Sequence, residues 1–208
     1  MTRSIQRKYQ DPVELIWLHA AQQCGMRVVR DPQVFASWDG QGILRLGTPE
    51  TLDADDSLAQ MILHELCHAL VAGPQGQTTE DWGLQYDRAD DRVFEQATLR
   101  LQAALTDPFQ LRQFFASTTD FRDYFDRLPQ DTLRDERDPA AMLAAEALHR
   151  DCNQAWIKVI RQALTRTATI AKATRDVADN LSLWQADLTV SGNRQELTKL
   201  AATHKPDK

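Results

Sequence analysis

Cysteine is scarce in this chain of 208 residues. There are three, Cys24, Cys67 and Cys152, odd in number, widely spaced and without a C-x-x-C pair. A disulfide framework and a thiolate zinc site are therefore not expected. No apolar run approaches the ~18–20 residues that cross a bilayer, so no membrane segment is expected. The first ten residues are polar and lack the apolar stretch of a secretion signal, which points to a cytoplasmic, reducing location. Repeats and low-complexity tracts are missing too. Positive charge is the minority sign, 24 Lys and Arg against 30 Asp and Glu for a net −6. That disfavours nucleic acid as a partner, since such proteins normally show a basic face. What remains is a 42% apolar fraction, enough for a core of about one domain's size. The charge is also uneven: residues 48–95 hold eleven acids and only two bases, Arg88 and Arg92. A concentrated acidic zone directs attention to a cation.

The elements follow from caps and periodicity. Asp11-Pro12-Val13-Glu14 opens a helix, with a capping aspartate, a proline at the first position and a box-like glutamate. Val13, Ile16, Trp17, Ala20 and Cys24 form its apolar side, and Gly25 ends it. The period then shortens. Residues 26–30 read as a strand, and residues 34–38 and 43–46 flank Asp39-Gly40-Gln41-Gly42, a hairpin signal. Residues 53–72 are predicted as a helix with acids in its first turn, broken by Gly73-Pro74-Gln75-Gly76. A polar loop runs to about Asp87, and a further helix covers residues 89–105. Short helical pieces are expected at 109–116 and 120–128. Asp138-Pro139 caps one long helix reaching Leu183. In it Trp156, Ile160, Ala163, Thr167, Ile170, Thr174, Val177 and Leu181 recur at four-three spacing, the pattern of a seam packed on the rest of the fold. After Gln185 the chain turns polar, as a loose tail does.

The chemistry lies in His64-Glu65-Leu66-Cys67-His68, an H-E-x-x-H sequence. Residues four apart on a helix stand on one face a turn apart, so His64 and His68 can offer nitrogens to one metal. Glu65 sits close enough to both to reach a metal-bound water. Ala59, Ile62, Leu63, Leu66, Ala69 and Leu70 cluster opposite the histidines as the helix's buried back. Cys67 reads as packing. An open tetrahedral site needs a third protein ligand, and no histidine follows His68 until His149. The nearby acids are Glu80, Asp81, Asp87, Asp90, Asp91 and Glu95. A helix holds a ligand more rigidly than a loop does. That favours Glu95, which points away from an expected apolar face of Val93, Phe94, Ala97, Leu101 and Ala104. Spacing alone leaves Asp81 and the other acids open.

His64 to His68 followed by Glu95 resembles the gluzincin pattern, in which a glutamate on a following helix completes an H-E-x-x-H zinc site. Glu95-Gln96-Ala97 through Leu105-Thr106-Asp107-Pro108 is similar to the third-ligand helix of the repressor-cleaving intracellular H-E-x-x-H peptidases. A second likeness is tighter locally. His64-Glu65-x-x-His68, Ala72-Gly73, Asp81-Trp82-Gly83 and Tyr86 resemble the metal-binding stretch of the elongation factor P hydroxylase family, with Trp82 where that family has Phe. Phe94-Glu95 matches its Phe-Glu pair after a five-residue deletion. Both resemblances imply Glu95 as the third ligand, and together they cover residues 63–108, less than a quarter of the chain.

The implied fold is α+β and zincin-like. A metal-binding domain at 1–108 carries a small N-terminal sheet and the active-site helix. A helical part at 109–185 packs on it, and 186–208 form the tail. The expected activity is that of a zinc metallopeptidase-type hydrolase acting on a peptide or protein. His64, His68 and Glu95 would hold Zn2+, and Glu65 would take a proton from water. The expectation of the hydroxylase likeness is Fe2+ in the same site. A non-catalytic metal staple is a third reading, weakened because structural zinc sites are usually closed and Cys-rich. Tyr86, and His149 in phase with Met142 and Cys152, are candidates to assist at an oxyanion. Asp81 and Trp82 would anchor the loop or orient a ligand histidine. Residues 43–46 are expected as an edge strand that could align an extended substrate. The sequence leaves the oligomeric state open.

Overall fold

The computed structural model describes residues 9–53, 56–85, 89–116 and 121–175. It is a mixed α/β fold with one three-stranded sheet and six α-helices among the described residues. The chain divides into two compact units, residues 1–168 and 169–208. No helix among the described residues is long and apolar enough to cross a membrane.

Helix α1 (Pro12–Gln23) starts where the sequence says it should. Asp11 accepts from the backbone N–H groups of Val13 and Glu14, and Trp17, Ala20 and Ala21 are buried. The box-like role expected of Glu14 is not taken up; its carboxylate faces Arg30 at 3.8 Å. Strands β1 (Arg27–Arg30), β2 (Ala36–Trp38) and β3 (Ile43–Leu46) follow. The Asp39 carboxylate closes the hairpin by accepting from Gln41 N and Ile43 N. Gly40 turns the chain at φ 70°, and a Cβ there would meet the Thr78 carbonyl at 2.9 Å.

The sheet order corrects one expectation. β3 is the central strand, parallel to β1 and antiparallel to β2, so residues 43–46 are not an edge. The strand preceding the hairpin returns to the hairpin's second arm, a pairing between distant segments that local pattern does not encode. Leu44, Leu46 and Trp38 carry the sheet's buried side.

Helix α2 (Leu58–Gly76) bears the H-E-x-x-H residues. It begins five residues later than the acids suggested. Ser57 and Gln60 form a reciprocal capping box, while Asp53 and Asp56 precede the helix. It runs past Ala72 but kinks at Gly73, whose φ 68°, ψ −170° is a region essentially reserved for glycine. Pro74 has no N–H to offer Leu70 O, and side chains bond the carbonyls just before the kink. Gln77 donates to Ala69 O, while Arg150 and Asn153 both donate to Leu70 O. α2 packs on α1, on α3 (Ala89–Thr106), on α5 (Pro139–His149) and on a 3-10 turn at Glu80–Gly83.

The remaining expectations are partly revised. Residues 109–116 form turns rather than a helix, and the next short helix is α4 (Arg122–Asp126). The long helix expected from Asp138 is two: α5, then a 3-10 turn at Asp151–Asn153, then α6 (Gln154–Arg175). The break has no glycine or proline. It is made by Asn153, which turns back to donate to both Ala147 O and Leu70 O. In α6, Ile160, Ala163 and Thr167 are buried and Thr167 accepts from the Trp17 indole at 3.1 Å, whereas Thr174 is exposed. Val177 and Leu181 lie outside the described residues.

Candidate metal centre

His64 and His68 stand one turn apart on α2, and Glu95 reaches them from α3. The His64 and His68 Nε2 atoms are 3.0 Å apart. Glu95 lays one carboxylate oxygen on each, 3.3 Å from His64 Nε2 and 3.1 Å from His68 Nε2. These three residues form the one group of metal-ligating side chains found among the described residues. The separations fit a common centre: ligands ~2.0–2.1 Å from a tetrahedral ion lie roughly 3.4 Å from one another. Two nitrogens and a carboxylate are a donor set that suits zinc, and equally non-haem iron. One side of the group remains accessible, for the His64 and Glu95 side chains are 21% and 17% exposed while His68 is 6% exposed.

Charge couples the three. Burial pulls the His64 imidazole down, but the Glu95 carboxylate beside it, with smaller help from Glu65 and Gln102, carries it up to about 9. Burial raises the Glu95 carboxyl, yet the two imidazoles hold it well below the usual carboxylate range. Burial, reinforced by Glu65, pushes the Cys67 thiol far up, so it stays neutral and packs.

The outer nitrogens are tied as well. His64 Nδ1 faces Gln102 Oε1 at 3.1 Å, and His68 Nδ1 faces Thr98 Oγ1 at 3.2 Å. Later residues of α3 meet earlier residues of α2, so the two helices run antiparallel across the site. Phe94 stacks on the His68 ring with centroids 5.7 Å apart. Sequence reasoning missed Thr98 and Gln102, although a signal was present. Asp91, Glu95, Thr98, Gln102 and Thr106 repeat at four-three-four-four spacing, a polar stripe along a helix. The expected apolar face of α3 is revised accordingly: Val93, Phe94 and Ala104 are only partly buried, while Ala97 to Ala103 are buried all round, Thr98 and Gln102 included.

Glu65 is buried, and its Oε2 accepts from the Trp82 indole N–H at 2.8 Å. Trp82 is held by the strained turn around it. Asp81 and Trp82 sit at φ 46° and 60°, where side-chain-bearing residues are rarely found, at a cost of about 1–3 kcal/mol each. The compensation is visible. Trp82 stacks on Trp38 at 4.9 Å with planes 4° apart, Asp81 Oδ1 accepts from Trp38 N, and the Trp38 indole donates to Gln77 O. Asp81 therefore spends its carboxylate on β2 and is not among the converging donors.

Glu80 is exposed, and Asp91 accepts from Gln85 N at 3.3 Å. Tyr86 and Asp87 lie outside the described residues, as does the side chain of Asp90. His149 is exposed at the end of α5 and is not brought to the group. Met142 and Cys152, expected in phase with it on an inward seam, are exposed too; the buried face is Ala140, Ala141, Ala144 and Ala147. No protein-family model, curated protein or solved structure matches the chain.

Proposed function

We propose that this chain is a metal-dependent hydrolase of metallopeptidase type, in which His64, His68 and Glu95 hold zinc and Glu65 handles the proton. The observation that carries the reading is the convergence of two Nε2 atoms and one carboxylate within 3.0–3.3 Å of one another. The ion would supply Lewis acidity, lowering the pKa of water toward about 7 and polarising an amide carbonyl. Glu65 is next to His64 on the same helix. With Oε2 engaged by Trp82, its Oε1 is the oxygen that accepts a proton from water and returns it to a departing amine. The accessible side at His64 and Glu95 is where a peptide or protein substrate would approach.

A second reading keeps the same three ligands but assigns iron and protein hydroxylation. It draws on the donor set and on the Asp81-Trp82-Gly83 turn, which is tied to the motif helix through Glu65.

Elemental analysis of protein purified without added metal, with a peptide-cleavage assay of wild type and Glu65→Gln, separates these. About one zinc per chain and a loss of cleavage of about 10²–10⁴-fold in the variant are expected. Iron with oxygen-dependent turnover would move the assignment to the hydroxylase. Unchanged metal content in His64→Ala would remove the site altogether.

A further inference from the structure

We infer that Gln102 and Thr98 are positioning residues that lock both imidazoles in the Nδ1–H form, so that the two Nε2 lone pairs are pre-aimed at one cation. The inference rests on the metal-site reading above and adds the part of the chain that prepares the site. The argument is one of donors and acceptors. Phe115 O can only accept, so the Gln102 atom that meets it is the amide Nε2. The other end of that amide, Oε1, carries no hydrogen and faces His64 Nδ1 at 3.1 Å. Nδ1 must therefore bear the hydrogen. Thr98 has one hydroxyl hydrogen, which it donates to Phe94 O a helical turn back at 3.1 Å. Towards His68 Nδ1, at 3.2 Å, its oxygen accepts, and that Nδ1 bears the hydrogen as well.

On each neutral ring the lone pair is thus left on Nε2. The two Nε2 atoms lie 3.0 Å apart with a carboxylate against both. Two lone pairs and an anion held this close repel one another unless a positive charge lies among them. The arrangement is kept rigid from outside, since Thr98 is 0% and Gln102 2% exposed. Glu95, Thr98 and Gln102 fall at i, i+3 and i+7 of α3, so one helix face supplies the third ligand and both orienting groups.

The test is zinc affinity of the full chain, by competition with a chromophoric chelator, for wild type, Thr98→Val, Thr98→Ser and Gln102→Met. Melting in excess chelator is recorded for each. A positioning role predicts about 10–100-fold weaker zinc binding in Thr98→Val and in Gln102→Met, with affinity restored in Thr98→Ser. A merely structural role lowers the zinc-free melting temperature but leaves the affinity of the folded protein unchanged, and that result overturns the inference while the metal site stands. Wild type that binds no zinc overturns the site reading and this inference together. Nitrogen-15 spectra of the imidazoles in zinc-loaded wild type need no variant to fold. Nδ1–H on both rings supports the inference, and zinc bound through Nδ1 on either ring overturns it.

Discussion

In the proposed site a proton and a metal ion would compete for the same nitrogen of His64. With its imidazole carried to about 9, chiefly by Glu95 against the opposing effect of burial, the metal-free protein keeps His64 charged at neutral pH. A ligand nitrogen has to be deprotonated. Zinc binding at pH 7 is therefore expected to release one proton, and its affinity to rise about tenfold per pH unit until about pH 9, then level off. Calorimetry of zinc binding in two buffers of different ionisation enthalpy measures that proton; a heat independent of buffer would contradict it. The same pair sets the stability of the metal-free fold. His64 is raised above its ordinary 6.5, so its contribution is complete below 6.5 and is lost as pH climbs through about 9. Glu95 is lowered from 4.5, so its contribution is present above 4.5 and is lost only in strong acid. Thermal unfolding with a chelator present should fall in midpoint between pH 6.5 and 9.

On the scale of elements, the kink in α2 is the feature with the widest consequences. Pro74 has no N–H for Leu70 O, and the orphaned carbonyl is satisfied from more than seventy residues away by Arg150 and Asn153. Those two residues also end α5 and start α6. The proline was legible in the sequence, but its partner segment was not, because nothing local in Arg150 to Asn153 forbids a continuing helix. Gly73→Ala is expected to destabilise by about 1–3 kcal/mol for its left-handed φ alone. The new Cβ would also lie 2.7 Å from Arg150 Nη1, and although that flexible end can move aside, doing so gives up its bond to Leu70 O and adds to the cost. Asn153→Ala leaves Leu70 O and Ala147 O each one donor short, at about 1–3 kcal/mol. Urea denaturation gives both values, and unchanged midpoints would refute this account of the break.

Across the whole molecule, α3 connects the candidate metal centre to the helical half. One side presents Glu95, Thr98 and Gln102 to α2. Another sends Arg100 into a buried junction, where its guanidinium donates to the Tyr124 hydroxyl, Thr132 O and the Asp138 carboxylate. Asp138 in turn caps α5 through Ala140 N. Around this junction Leu99, Ala103, Ala116, Phe125 and Leu128 form a satellite core. Arg100→Met strands three acceptors that are wholly or partly buried, and a loss of about 3 kcal/mol in unfolding free energy is expected. Zinc affinity of the folded variant should be unchanged, since none of the groups Arg100 bonds touches His64, His68 or Glu95. Parallel denaturation and zinc titrations check both halves; a coupled loss of affinity would show that the junction positions α3 at the metal site.

What the sequence by itself determined is what backbone geometry dictates over a few residues. Asp11 and Pro12 start α1, Asp39 to Gly42 turn the hairpin, and the spacing of His64 and His68 stacks two imidazoles on one helical face, since i and i+4 are neighbours there whatever surrounds them. The net charge spoke only against nucleic acid, and the acidic zone pointed toward a cation without locating it. Spacing alone left the acid that meets the histidines open, the family resemblances implied Glu95, and the tertiary structure brings that residue to both rings. Several carboxylates lie within reach by chain length, and only the antiparallel approach of α3 to α2 aligns Glu95 with both Nε2 atoms while Asp81 is drawn off to Trp38. It also decided that β3 is central, that Trp82 holds Glu65, and that Thr98 and Gln102 face the histidines. Each of these is a contact between segments distant in the chain, fixed by how packed surfaces fit and by which buried polar groups must find partners, neither of which is written in any local stretch of residues.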